Sequence, residues 1–341
     1  MARKALTATA LTATIATPIM GMSFDRSPIT EAELEGFGLS AEARSMSWSL
    51  PWHKSALMGV KTAHPVFITG TSGCGKDYAA EALAFQLGRP LVCLSIKPDL
   101  DPNEWVGGTS LKGDGVGGTE SVEEEGFLAR ACRGYEIERQ GRKIIVPALI
   151  LISDFDRATP RQAEVFRQAF EEEGRRYLTH PTSGAKLPIA EGTIFVLTAN
   201  SGIDGDGGKG MVASQLDTSI VNRCVGVYAP APTPAFFEGV LTAKYTALDK
   251  GEVKLLVKAL FAVKSAIEDN NLAYEVSLRT ANMVAKMAIM LKAGGASWQE
   301  ALREGFSVVQ GFCHEADNRA LIEGALDPIL GSAKISAGSA I

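Results

Sequence analysis

Residues Gly70, Thr71, Ser72, Gly73, Cys74, Gly75 and Lys76 spell G-x-x-x-x-G-K, and Asp77 and Tyr78 follow directly. Small residues in such a run let consecutive backbone N–H groups curl around a phosphate, and the lysine reaches the terminal phosphates of a nucleotide. The chemistry needs a strand that delivers the chain to the loop and a helix whose N-terminus, with its partial positive charge, meets the anion. Pro65-Val66-Phe67-Ile68-Thr69 is an apolar run of strand length, and residues 77–87 have helical spacing. One position departs from the usual G-K-[ST] pattern. Asp77 stands where a hydroxyl would hold Mg²⁺. A carboxylate there either binds the metal itself or repels the phosphates, and the motif leaves both open.

A second group of candidates lies where two later apolar runs end. Leu149-Ile150-Leu151-Ile152 leads into Ser153, Asp154, Phe155, Asp156, Arg157 and Ala158, and Thr193–Thr198 leads into Ala199 and Asn200. In ATPases with such a loop, a strand ends in a carboxylate that holds the Mg²⁺, and the next acidic residue polarises the attacking water. In one register Ser153 takes the first place and Asp154 the second. In the other, Asp154 is the metal carboxylate and Phe155 occupies the catalytic position, which would leave the site close to inactive.

These side chains need a scaffold. Buried-strand patterns at 65–69, 91–95, 148–152 and 193–198 alternate with helical patterns at 77–87, 122–140 and 161–173. That alternation predicts a parallel sheet covered on both faces. Ala229-Pro230-Ala231-Pro232-Thr233-Pro234 then reads as a stiff linker. Beyond it only helical periods occur, at 235–248, 252–269, 277–292, 297–310 and 314–328. The expected organisation is a partly flexible N-terminal arm over 1–44, an α/β nucleotide-binding domain over 45–230, a smaller all-α lid domain over 235–329 and a flexible tail over 330–341.

Composition narrows the classes. The 341 residues carry 34 Lys+Arg against 39 Asp+Glu, so no global basic field advertises nucleic acid. Five cysteines without C-x-x-C spacing and four scattered histidines argue against a zinc site or a disulfide framework, and suit a reducing, cytoplasmic setting. No apolar stretch reaches the ~18–20 residues of a membrane span. The basic, Thr-rich start (Met1–Phe24) reads better as an arm than as a secretory leader. Glycine is in excess, at 35 residues, against a usual ~7%. Besides the phosphate loop it clusters in 107–118 and 202–210, which read as loops, mobile or plain surface, rather than as a second nucleotide site.

The chain resembles the AAA+ family, and within it the MoxR/CobS-type branch, over about residues 50–325. That branch's strand end runs roughly D-E-[IY]-[ND]-R-A, which aligns with Ser153-Asp154-Phe155-Asp156-Arg157-Ala158. Glu104-Trp105-Val106-Gly107 resembles the segment after the second strand, and Gly126-Phe127-Leu128 the second-helix insertion. Tyr177–Ile189 is similar to the β-hairpin before the sensor strand. Thr198-Ala199-Asn200 resembles sensor 1, Gln215-Leu216-Asp217 with Asn222-Arg223 the segment carrying the arginine finger, and Ser277-Leu278-Arg279 sensor 2.

The resemblance implies an AAA+ fold, ATP and Mg²⁺ as cofactors, and a homo-oligomeric, hexameric ring that hydrolyses ATP to remodel a protein partner. It further implies that Asp154, Asn200, Arg223 and Arg279 serve catalysis, that Gly70 through Tyr78 hold the nucleotide, and that Asp77, Ser153 and Asp154 surround the metal. The branch's hydroxyl and carboxylate at the metal are exchanged here between positions 77 and 153, and Asp154 is one methylene shorter than the usual glutamate. Two alternatives stay open: a nucleic-acid-linked motor of restriction or phage type, and an ATP-bound scaffold with little turnover. No N-K-x-D motif for guanine is present. The adenine pocket has no motif, and the segment around Trp52–His64 is its expected wall.

Overall fold

The computed structural model describes residues 15–37, 39, 48–113, 118–202, 216–272, 274–313 and 315–331. It divides into two compact units, Met1–Thr71 with Gly75–Ala229, and Ser72–Cys74 with Pro230–Ile341. Among the described residues of the first unit, five parallel strands form one sheet: β1 (Val66–Gly70), β2 (Leu91–Ser95), β3 (Leu149–Ser153), β4 (Ile194–Ala199) and β5 (Val225–Ala229). Their order is β5-β1-β4-β3-β2, so β4 lies between the two strands that carry the candidate residues.

Alternation along each strand divides the apolar side chains between two faces. On one face, Phe67, Ile150, Ile152, Phe195 and Leu197 join a core with Trp105, Leu128, Phe155, Phe166 and Phe170. That side is covered by α3 (Phe127–Arg133) and α4 (Pro160–Arg167). On the other, Val66, Ile68 and Val196 meet Ala56, Leu57, Ala79, Ala80 and Leu83 of α1 (Pro51–Lys61) and α2 (Lys76–Gln86). The helix α4 starts in a capping box between Thr159 and Gln162. Gln162 is almost fully buried, and its amide donates to the carbonyls of Lys97 and Leu100 at 2.8 and 2.6 Å, which ties the loop after β2 to this helix.

Three sequence expectations are corrected. The helix expected over 122–140 is only α3. Thr119–Glu125, including Glu123–Glu125, is instead a strand pairing antiparallel with Gly107–Gly113, and Tyr135–Arg139 pairs with Arg142–Val146. Local spacing alone favoured a helix, but Gly134 at φ +84° ends α3, and a Cβ there would lie 2.7 Å from Ile145. The glycine-rich 107–118 is therefore largely a hairpin, apart from 114–117, which lie outside the described residues. Finally β5 was missed, because the Gly226 and Tyr228 positions break its apolar run. The hairpin expected near 177–189 is present as Tyr177–Thr179 paired with Lys186–Pro188. The earlier stretch 15–26 also pairs, as Ile15–Ile19 with Met22–Arg26.

The second unit is helical: α6 (Pro234–Lys244), α7 (Lys250–Asp269), α8 (Leu278–Ala293), α9 (Trp298–Gly305) and α10 (Ala316–Leu330), with a short turn of helix at Ser307–Gln310. The label α5 is kept for Thr218–Val221 in the first unit. In α7, Val253, Leu256, Val257, Leu260, Val263 and Ile267 recur at three- and four-residue spacing and are all buried, so one stripe faces the unit's own core. Among the described residues no helix is long and apolar enough to cross a membrane.

Two outcomes follow. Phe166 is fully buried and stacks between Trp105 and Phe170, with ring centroids at 5.3 and 5.5 Å. Phe166→Ala should lower unfolding free energy in urea by about 3–5 kcal/mol, and Phe166→Leu by clearly less. His53 in α1 is buried against Trp52 and Trp48, its Nδ1 accepting from the Leu50 N–H at 3.3 Å. Burial pushes its imidazole down from 6.5 to about 4. The unfolded ring therefore gains a proton before the folded one does. Its contribution is whole above pH 6.5 and is lost as pH falls toward 4, at up to about 1.4 kcal/mol per pH unit. Urea titrations across that window should show a shallower pH slope for His53→Gln than for wild type.

Candidate functional site

The carboxyl ends of β1, β3 and β4 bring the sequence candidates together. β1 ends at Gly70, whose φ is +151°; a Cβ there would lie 2.1 Å from the Ala229 carbonyl oxygen of β5, so only glycine fits. The loop then turns through positive φ at Gly73 and Gly75, at +70° and +91°, and Gly75 is the N-cap of α2. Left-handed backbone at both positions is what a phosphate-cradling loop requires of its glycines. Lys76 opens the helix and is only 7% exposed. Its Nζ donates to the Gly70 and Thr71 carbonyls at 2.7 and 2.9 Å and to Asn200 Oδ1 at 3.1 Å.

Asn200 lies just past the end of β4. Its amide oxygen accepts from Lys76, and its Nδ2 donates to Asp154 Oδ1 at 3.3 Å. That pair of contacts fixes which way the amide faces, because only the oxygen can accept a hydrogen bond from an ammonium. Asp154 sits at φ +55°, ψ +39°, a left-handed conformation that carries the chain from β3 into the 3₁₀ turn Phe155–Arg157. Aspartate tolerates this region better than most residues. Phe155 points into the core, 1% exposed and edge-on to Phe67 and Phe166. It is therefore not aligned with the polar group.

The second face of the sheet carries the exchanged residues. Asp77, in the first turn of α2, accepts a hydrogen bond from Thr198 Oγ1 at 2.6 Å. Ile152 pairs with Leu197, so Ser153 and Thr198 are the next residues on adjacent strands. Since Ile152 and Leu197 face the aromatic core, Ser153 and Thr198 face the α2 side. Asp77, Thr198 and Ser153 thus lie on one side of the sheet at its carboxyl edge. The motif gives Thr198 no role beyond its place beside Asn200; its β-branched place in an apolar strand masks a hydroxyl that holds Asp77.

The remaining candidates are placed elsewhere or by other contacts. Arg223 follows α5, and its guanidinium grips Glu171: Nε donates at 2.8 Å, and a second nitrogen lies 2.7 Å from the same carboxylate oxygen. It also donates to the Ser219 carbonyl, capping α5. None of these partners belongs to the Lys76–Asn200–Asp154 group. Arg279 is exposed in the first turn of α8, within the helical unit. Arg157 is exposed and Arg161 pairs with Asp101 at 3.4 Å. Trp52 and His53, in the segment expected to wall an adenine, are buried inside the first unit. Gln215 and 203–210 lie outside the described residues.

Among the described residues there is no group of three or more His, Cys, Asp or Glu able to hold a metal unaided. The donor set suits Mg²⁺ carried by a nucleotide, which needs one or two hard oxygen ligands from protein beside phosphates and water.

Comparison with known proteins agrees with this geometry. Residues 65–214 match the AAA domain of the dynein-related subfamily. Protein NorQ from Paracoccus denitrificans (strain Pd 1222) is 27% identical over 194 residues, a match that spans 57% of this chain and 62% of that relative. The chain thus covers less than two thirds of this relative's length. With the phosphate loop, the β5-β1-β4-β3-β2 sheet and a C-terminal helical unit in place, residues 65–214 carry an AAA domain, and the two matches support the resemblance to the MoxR/CobS-like branch of the AAA+ family.

Proposed function

We propose that the protein binds ATP with Mg²⁺ at the Gly70–Tyr78 loop, hydrolyses it slowly, and works as a homo-oligomeric, hexameric ring that remodels or activates a protein partner. The observation that carries the reading is the chain of contacts Lys76–Asn200–Asp154, which joins the phosphate-loop lysine to a carboxylate through one amide. Lys76 would meet the terminal phosphates, and Asp154 and Asn200 would orient the attacking water. Asp77 and Ser153 would hold the metal, whose role when bound is to neutralise phosphate charge. Arg223 would reach the nucleotide of a neighbouring copy, and Arg279 would serve as the sensor of the helical unit. The short Asp154 supports slow turnover, since a displacement of about 1 Å can cost around 10²-fold.

Turnover and binding separate these roles. Lys76→Ala should abolish phosphate release and weaken fluorescent-ATP binding. Asp154→Ala should retain binding but lose about 10²-fold in rate. Asp154→Glu, which restores the missing methylene, should turn over faster than wild type. Phosphate release unaffected by Lys76→Ala would defeat the site assignment, and rings that form with ATP but never release phosphate would favour a scaffold.

The proposed Asp77 role predicts that removing Mg²⁺ with a chelator weakens nucleotide binding in wild type far more than in Asp77→Ser. Equal metal dependence in the two proteins would count against a carboxylate at the metal. An arginine acting across subunits has a different signature. Arg223→Ala and Lys76→Ala should each be inactive alone, yet regain part of the turnover when mixed, because mixed rings contain intact sites. Ring size is read by light scattering with a slowly hydrolysed ATP analogue.

A further inference from the structure

We propose that Asp156 is the positioning residue for Asn200, and so sets the geometry of the Lys76–Asn200–Asp154 group; this rests on the nucleotide reading above. Asp156 is 2% exposed. Its Oδ2 accepts the backbone N–H of Asn200 at 3.1 Å, the backbone N–H of Ser201 at 3.0 Å and the Ser201 hydroxyl at 2.7 Å. Its Oδ1 is buried and makes no hydrogen bond among the described residues.

Burying a carboxylate is costly unless donors surround it, and hydrogen bonds to an ionised acceptor are stronger than neutral ones. Three donors converging on one oxygen make a firm anchor. The contact between the Asn200 and Asp154 side chains, at 3.3 Å, is the longer and weaker link. Asp154 and Asp156 belong to the same turn, so that turn holds Asn200 at two points, by its side chain and by its backbone. The backbone grip decides where the amide stands, and the amide then spans from Lys76 to Asp154. Asp156 touches neither Lys76 nor Asp154 through any of these bonds, so it acts through Asn200.

The test compares Asp156→Ala, Asp156→Asn, Asn200→Ala and the double variant Asp156→Ala/Asn200→Ala. Three quantities are read: kcat and KM for ATP, affinity for Mg·ADP and for a non-hydrolysable Mg·ATP analogue, and the melting curve. Asp156→Ala should lower kcat by about 10–100-fold. It should also remove any difference in affinity between the analogue and ADP, while ADP affinity stays within about two-fold. Asp156→Asn should fall between wild type and Asp156→Ala, since its amide oxygen can take the same donors, though more weakly than a carboxylate, while its N–H groups fall where Oδ1 has no partner. The double variant should be no worse than Asn200→Ala, as expected for two residues acting through one contact.

A folded Asp156→Ala protein with unchanged kcat and nucleotide discrimination would overturn the proposal, as would additive losses in the double variant. Should Asp156→Ala fail to fold, Ser201→Ala decides. It removes one donor of three, and must reduce discrimination at least about two-fold, with no further loss beside Asn200→Ala. Unchanged discrimination there overturns the proposal equally. A wild-type protein that binds both nucleotides without turnover removes the hydrolysis reading alone, and the affinity comparison still decides the role of Asp156. A wild-type protein that binds neither nucleotide overturns both.

Discussion

A lysine ammonium held almost out of water at the carboxyl edge of a parallel sheet is the constraint on which the rest of the α/β unit depends. A charge in that position costs several kcal/mol unless hydrogen-bond acceptors are fixed around it. The Gly70 and Thr71 carbonyls come from the strand end next to it, but Asn200 comes from 124 residues further on. Strand order supplies it. With β4 inserted between β1 and β3, one residue past its end can reach both Lys76 on the β1 side and Asp154 on the β3 side. A sheet in chain order would have placed β2 beside β1 and separated these groups.

The apolar side of the sheet sustains the polar edge. Phe155 sits between Asp154 and Asp156, and its ring is locked among Phe67, Phe166 and Phe170. Burial of such a side chain contributes about 1.5–3 kcal/mol. A residue in left-handed backbone costs on the order of 1–3 kcal/mol, towards the lower end for aspartate. The two are of similar size, so the wedge of one phenylalanine is enough to hold Asp154 in its φ +55° conformation. Acidic residues on either side of a core aromatic are thus a way to aim two carboxylates while anchoring the turn that bears them.

How much of this could be read from residues alone depends on how local its cause is. The phosphate loop and four of the strands are short-range patterns, and the fold class followed from their alternation. The 122–140 segment failed because its spacing suits a helix while its partner strand, Gly107–Gly113, supplies hydrogen bonds that no window of sequence contains. The same holds for β5, whose exposed Gly226 and Tyr228 conceal an edge strand paired to β1. At the site, Lys76, Asp154 and Asn200 were legible by type and order. Thr198 and Asp156 were not given roles, because what they bind is set by register across the sheet and by backbone N–H groups, which carry no residue-type signal.

The exchange at positions 77 and 153 can now be weighed physically. A carboxylate in the first turn of a helix is favoured by about 0.3–1 kcal/mol through the helix dipole. Asp77 gains a further hydrogen bond from Thr198. Both effects stabilise the protein by itself, and both work against an incoming phosphate, which seeks the same N-terminal field. Under the proposed reading the conflict is resolved only when a divalent cation arrives with the nucleotide, so that carboxylate and phosphate share it instead of repelling. A serine or threonine at 77 would tolerate nucleotide with or without metal. Under that reading the aspartate would make the metal a condition of entry, and Thr198, which donates to one oxygen of that carboxylate, would leave the other oxygen to meet it.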